Sequence, residues 1–192
     1  IILPDTTYYE EGHEKGAELL KTWRESQEAL LPKFGFSDEE IKDLLDKRLE
    51  LDAKVAKYVL SNEEGSEYAK LYHPYEWADF TALVPELPLD DFFTAILGQI
   101  PDNIIVPEER FWQAAKDIYS EDNWELLKAT LILKAAGAYT AFLSDEIRIL
   151  AGAYSRALSG TPQAQNQEKA AYNLAQGYFD QALGLWYAGE KF

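Results

Sequence analysis

The sequence predicts a mostly α fold: an irregular multi-helix domain with long amphipathic helices, a proline-rich middle and at most one short strand pair. Three observations point that way. Apolar residues recur at steps of three and four through both ends of the chain, and residues that start and stop helices bracket those runs. Pro74, Pro85, Pro88, Pro101 and Pro107 crowd the middle third and cut it into segments that no long helix can cross.

In chain order, Leu3-Pro4-Asp5 reads as an extended lead-in. A first helix is expected from Thr6 to Leu31, with Leu20, Trp23, Leu30 and Leu31 on its apolar side. Ser37 and Glu40 form the Ser-x-x-Glu pattern of a capping box, and behind it Ile41, Leu44, Leu45, Leu49, Val55 and Val59 trace one side of a second long helix. "SNEEGSE" reads as a turn-rich break, and Ile104-Ile105-Val106 as a short strand between prolines. From Ser120 the stripe Trp124, Leu127, Leu131, Ala135, Ala138 and Phe142 predicts a buried helix of about 20 residues. Ser144 or Asp145 caps the next helix, which carries Ile147, Leu150, Tyr154 and Leu158 and stops at Gly160-Thr161-Pro162. A last helix starts near Ala164 and bears Leu174, Tyr178, Ala182, Leu183, Trp186 and Tyr187. The echo of "AGAYTAFLS" in "AGAYSRALS" is too short in period for a solenoid. Its small residues Gly137, Ala138, Gly152 and Ala153 are expected to let helices approach closely.

With 192 residues, 47% of them apolar, the chain can bury a substantial core as one domain spanning residues 1–192. Its 18 basic and 34 acidic residues give a net charge of −16, which repels phosphate backbones and anionic lipid surfaces; nucleic acid and membrane are excluded as partners. No run approaches the roughly 20 apolar residues that span a bilayer. Zero cysteines favour a reducing, cytoplasmic setting without requiring it. A chain that begins at Ile1 and holds no methionine reads as an excised piece.

"GHEKGA", Gly12 to Ala17, looks like half of a zinc-peptidase helix. The complete motif places a second histidine one turn beyond the His-Glu pair, so that two imidazoles grip the metal. Ala17 stands at that position, and His73 is the chain's one other histidine. Glu10, Glu14 and Glu18 share a helical face with His13, but one imidazole among carboxylates is better read as a solvated acidic stripe paired in part with Lys15 and Lys21. His73, in "YHPYEW", is a packing or turn residue, since no serine or cysteine nucleophile motif accompanies it. The acidic doublets Asp38-Glu39, Asp90-Asp91, Glu108-Glu109 and Glu121-Asp122 fall at predicted helix starts, where the helix dipole favours a carboxylate. No phosphate loop, nucleophile elbow or calcium loop is present. The residues therefore supply no catalytic, cofactor-binding or metal-ligating site.

Two stretches go beyond a generic helical domain. "GAYSRALSGT" (Gly152 to Thr161) and "GYFDQALGLWYAGEKF" (Gly177 to Phe192), with the opening "LPDTTYY", resemble the neprilysin and endothelin-converting-enzyme family of zinc metallopeptidases, and most closely its bacterial oligoendopeptidases. Arg156, Leu158-Ser159-Gly160-Thr161, Gly177, Ala182-Leu183-Gly184, Tyr187 and Phe192 fall in the family's order and spacing. Glu168 and Ala171 stand where the family often has a tryptophan and a cysteine, a departure that fits a branch built without disulfides. The resemblance implies that zinc is held by an HExxH helix and a downstream glutamate, and that an Asn-Ala-aromatic-Tyr segment binds the substrate backbone. All of these lie beyond this chain, and "AAYN" (Ala170 to Asn173) is not that segment. It implies that the chain is most of the non-catalytic N-terminal helical lobe of a peptidase of oligopeptides, inactive alone. Zinc then belongs to the parent's catalytic lobe, and the partners are that lobe and the peptide substrates. The resemblance is compatible with a secreted parent as well as a cytoplasmic one. The rival expectation is a stand-alone acidic helical scaffold that holds a basic partner.

Overall fold

The computed structural model describes residues 1–191; Phe192, the last residue of the family-like pattern, lies outside the described residues. Helices dominate, and among the described residues one antiparallel strand pair is present. The central element is α2 (Asp38–Ala56), which starts at the capping box as expected. Ser37 Oγ accepts from the Glu40 N–H, and the Glu40 carboxylate accepts from the Ser37 N–H at 2.8 Å. Ile41, Leu44 and Leu45 on α2 bury themselves against Ala129 and Leu133 of α7 (Trp124–Ala138) and against Leu31, with Trp23 of α1 (Glu14–Leu30) at the edge. Farther along, Leu51 meets Ala114 and Ile118 of α6 (Glu109–Ile118) and Leu126 of α7. One helix thus serves two clusters, each closed by α7.

The first helix does not begin at Thr6. Thr6–Tyr9 forms a 3-10 turn, Gly12 takes a left-handed conformation at φ 81°, and α1 starts only at Glu14 with His13 as its N-cap. The turn folds back onto the first turn of α1: a Cβ on Gly16 would lie 2.0 Å from the Tyr8 carbonyl oxygen, so this approach needs a glycine there. "SNEEGSE" is not only a break. Ser61 and Glu64 make a second capping box that opens the short α3 (Asn62–Ser66).

An arm follows. Strand β1 (Pro74–Glu76) pairs with β2 (Asn103–Ile105), Tyr75 facing Ile104, so the expected strand exists and is shifted by one residue. Between them run α4 (Trp77–Thr81) and α5 (Leu89–Leu97), kept short by the prolines. Phe80, buried, meets Trp112 of α6 edge-on at 4.9 Å between centroids, and this contact fastens the arm to the body.

The predicted helix from Ser120 is α7, shorter than expected and followed by a 3-10 turn at Thr140–Phe142. Its buried stripe is Leu126, Ala129 and Leu133, not the predicted one: Trp124 is 58% exposed and Leu131 61%. "WELLKATLILKAAGA" is apolar on every side, so periodicity alone does not select the face. Ser144 caps α8 (Asp145–Ala151) as anticipated, but the helix breaks at Gly152 and resumes as α9 (Ala153–Ser159), ending at Gly160 with φ 64°. Around Gly152 the nearest atoms belong to Arg156 and Arg148 of these same two helices, and a Cβ on Gly137 would meet open space. At the two glycines of the echo, therefore, no other helix packs into the space a side chain would take. The last helix is two, α10 (Gln167–Tyr178), capped by Asn166, and α11 (Asp180–Lys191).

Urea unfolding checks the two starts. Ser37→Ala should lose about 1 kcal/mol. Gly16→Ala should lose more, about 2 kcal/mol, because the added methyl collides with backbone rather than with a movable side chain.

Candidate functional site

His13 is committed to a structural role. Its Nδ1 accepts the Gly16 N–H at 3.0 Å and its ring lies 4.7 Å from that of Tyr8. The imidazole replaces the usual Ser or Asp as N-cap. His73 lies just before β1, where its carbonyl accepts the Val106 N–H at 2.9 Å and its Nδ1 sits 3.2 Å from the Val106 carbonyl. A carbonyl only accepts, so Nδ1 carries the proton there. Nε2 faces Glu109 at 3.6 Å, and Glu109 also accepts from the Tyr75 hydroxyl at 2.7 Å, which raises the Tyr75 pKa. The cluster locks the strand pair to α6 and contains no nucleophile.

Zinc finds no cradle here. Among the described residues no three His, Asp or Glu side chains converge as a metal centre needs, and His13 has already committed one nitrogen to its cap. The residues present do not fit the metal. No described helix is long and apolar enough to cross a membrane.

The polar centre that sequence reading missed is Asp52. It lies on the buried side of α2 with 1% of its surface exposed. A carboxylate so placed is tolerated only with partners on its oxygens. Oδ1 and Oδ2 accept the Ile2 N–H at 3.0 and 3.1 Å, Arg48 Nη2 lies 3.1 Å from Oδ1, and the Tyr9 hydroxyl donates to Oδ2. The Ile2 carbonyl in turn accepts from the Tyr154 hydroxyl of α9 at 3.0 Å, and Leu3 is buried beside it. The amino-terminal strap is therefore held on one side by α2 and on the other by α9. Nothing in "LELDAKVA" marks this aspartate, because its burial arises from elements far away in sequence.

Beside Asp52 and Ile1 opens a groove of about 440 Å³ between α2, α6 and α7. Leu51, Phe111 and Ile118 form its floor; Trp124 and Leu131, the face of α7 expected to be buried, form a wall; Lys134 stands at its rim. Within it Thr130 Oγ1 is buried without a hydrogen-bond partner. The groove can take an apolar side chain.

Tyr9 reports on the Asp52 centre. Burial, then the hydrogen bond to Asp52, pushes its phenol well above the ordinary 10.0. A proton held more tightly in the folded than in the unfolded chain contributes stability that is complete below about pH 10 and is lost as pH rises beyond it. Tyr9→Phe should cost about 1 kcal/mol at neutral pH and flatten the alkaline decline. The decline should not vanish, because Tyr154 is raised by burial and by the Asp52 charge as well. Removing the acceptor is more severe: Asp52→Ala strands the Arg48 guanidinium and the Tyr9 hydroxyl proton together and leaves the Ile2 N–H only the Tyr9 oxygen, an expected loss of about 3 kcal/mol or more. Urea titrations at a series of pH values measure both.

Comparison with known proteins agrees with this architecture. The family model described as Peptidase family M13, in its N-terminal part, matches residues 1–192. A Streptococcus gordonii protein named as a zinc metalloproteinase in the scaA 5' region is 69% identical over 191 residues, covering 100% of this chain and 34% of its own length. The neutral endopeptidase of Lactococcus lactis subsp. cremoris is 36% identical over 192 residues, 30% of its length. The crystal structure of PepO from Lactobacillus rhamnosis HN001 superposes on the whole chain with a TM-score of 0.89 at 27% identity, over 30% of the PepO chain. The Mycobacterium tuberculosis zinc metalloprotease Zmp1 in its open state shares the fold, with a TM-score of 0.81 at 18% identity. The chain spans about a third of the length of the relatives it matches. It belongs to peptidase family M13, the neprilysin-like metallopeptidases, and forms part of their N-terminal region.

Proposed function

We propose that this chain is most of the non-catalytic helical lobe of an M13 zinc endopeptidase that cleaves oligopeptides, and that residues 1–192 act as one domain of that larger protein. The observation that carries the reading is the match of the whole chain to the family's N-terminal region and to a third of much longer relatives, two of them named as a metalloproteinase and a neutral endopeptidase. Zinc and the reacting groups then belong to the catalytic lobe of the same polypeptide. This lobe covers the cavity in which the peptide is cut, keeps bulk water from it, and bars folded substrates by size. A cover of this kind has to be rigid, and α2 is fixed on three sides by α1, α6 and α7, and the strap by Asp52. No observation on the molecule favours the stand-alone scaffold.

Three measurements test the proposal. The gene that encodes this chain should continue into an HExxH segment with a further glutamate downstream; a reading frame without them ends the peptidase reading. The purified 192-residue chain should leave a quenched peptide intact while the full polypeptide cleaves it. The full polypeptide should cut a short peptide at least about 100-fold faster than the same sequence displayed within a stable folded domain. Equal rates would remove the size-limiting role and leave the family assignment untouched.

A further inference from the structure

Helices α10 and α11 contain no buried residue, although no charged residue interrupts the sequence from Gln181 to Gly189. Leu185 is 78% exposed, Trp186 61% and Leu183 43%. At 100° per residue Leu183 and Trp186 share one face of α11 and Leu185 points away from it, so turning one face of α11 onto its neighbour α10 does not bury all three. A helix that is apolar all round is one enclosed on all sides. On α10, Tyr178 and Phe179 at its carboxyl end are 69% and 63% exposed. The pair is nonetheless joined to the body: Arg148 donates to the Gln165 carbonyl at 2.8 Å, and the rings of Phe142 and Tyr178 lie 6.3 Å apart.

We propose that α10 and α11 form the seam of the lobe, enclosed by a further stretch of the same polypeptide that lies outside residues 1–192. The inference rests on the reading of the chain as part of a longer M13 protein. Two observations select this occupant. The whole chain, both helices included, superposes on 30% of a PepO chain, so in that structure the same helices stand within a polypeptide about three times as long. A second copy of this chain is a poor occupant, because each carries a net charge of −16 and like charges oppose association.

Hydrogen exchange on the full polypeptide and on the 192-residue chain, side by side, decides it. The amides of residues 181–189 should exchange at least about 100-fold more slowly in the full polypeptide. Leu185→Asp should lower the Tm of the full polypeptide and leave that of the 192-residue chain unchanged. If the variant does not fold, the wild-type exchange decides alone. Equally fast exchange in both proteins overturns the proposal. So does protection in the 192-residue chain that grows with concentration as light scattering reports a dimer, since the occupant is then a second copy. Peptide hydrolysis, followed in parallel, separates the two readings: a full polypeptide that shields these amides and cleaves nothing upholds the seam and sinks the peptidase.

Discussion

The buried carboxylate of Asp52 is the constraint that orders the rest of the fold. It shares the inner stripe of α2 with Leu45 and Leu51, which are buried because α7 and α6 close over them. Packing of that stripe therefore draws an ionisable group out of water. Such a group costs several kcal/mol unless its oxygens are satisfied. The partners come from three places: Arg48 on the same helix, Tyr9 in the 3-10 turn, and the backbone of Ile2. Hydrophobic burial of α2 and the order of the amino-terminal strap are for this reason one event, not two.

From that point the geometry propagates outward by contact. The strap sets Tyr9, Tyr9 lies in the turn whose Tyr8 carbonyl rests on Gly16, and Gly16 lies in the first turn of α1, whose N-cap is His13. The one residue that invites a metal reading thus serves as a hinge pin between strap and helix. On the far side, Tyr154 ties Ile2 to α9, and α8 and α9 pack against α1, so the strap closes a ring of elements distant in sequence. Each contact is modest by itself. Together they convert a set of short helices into a wall with few ways to yield.

What the sequence makes legible is local. The Ser37 and Glu40 box can be read because both partners lie within one turn; Gly160 can be read because a left-handed C-cap favours glycine wherever it occurs. The same box at Ser61 and Glu64 obeys the same rule, but it is masked by a stretch whose composition is that of a turn. The start of α1 is not readable, since histidine is an uncommon cap and the packing of the Tyr8 carbonyl on Gly16 is set only by the fold. The buried face of α7 is not readable either, because an all-round apolar helix has no preferred side until its neighbours are placed. Asp52 has no local signature at all. Its role depends on Ile2 and Tyr9, and separations of that length are set by tertiary packing. The family, by contrast, is legible from short runs such as "GAYSRALSGT", which carry ancestry rather than chemistry.

The distribution of charge completes the physical picture. Acidic side chains crowd the outer faces of α1 and α2, where Glu18, Glu25, Asp43 and Glu50 stand in water, some of them paired with lysines one turn away. In α11 charge is confined to the ends, at Asp180, Glu190 and Lys191, and the span between is apolar. Ionised groups mark the surfaces that stay hydrated, because their removal from water is expensive; extended apolar surface marks those that do not. The wall of the groove beside Ile1, made by Trp124 and Leu131, belongs to the second kind as well. The charged faces of α1 and α2 stay hydrated, and the middle of α11 and the groove present apolar surface instead.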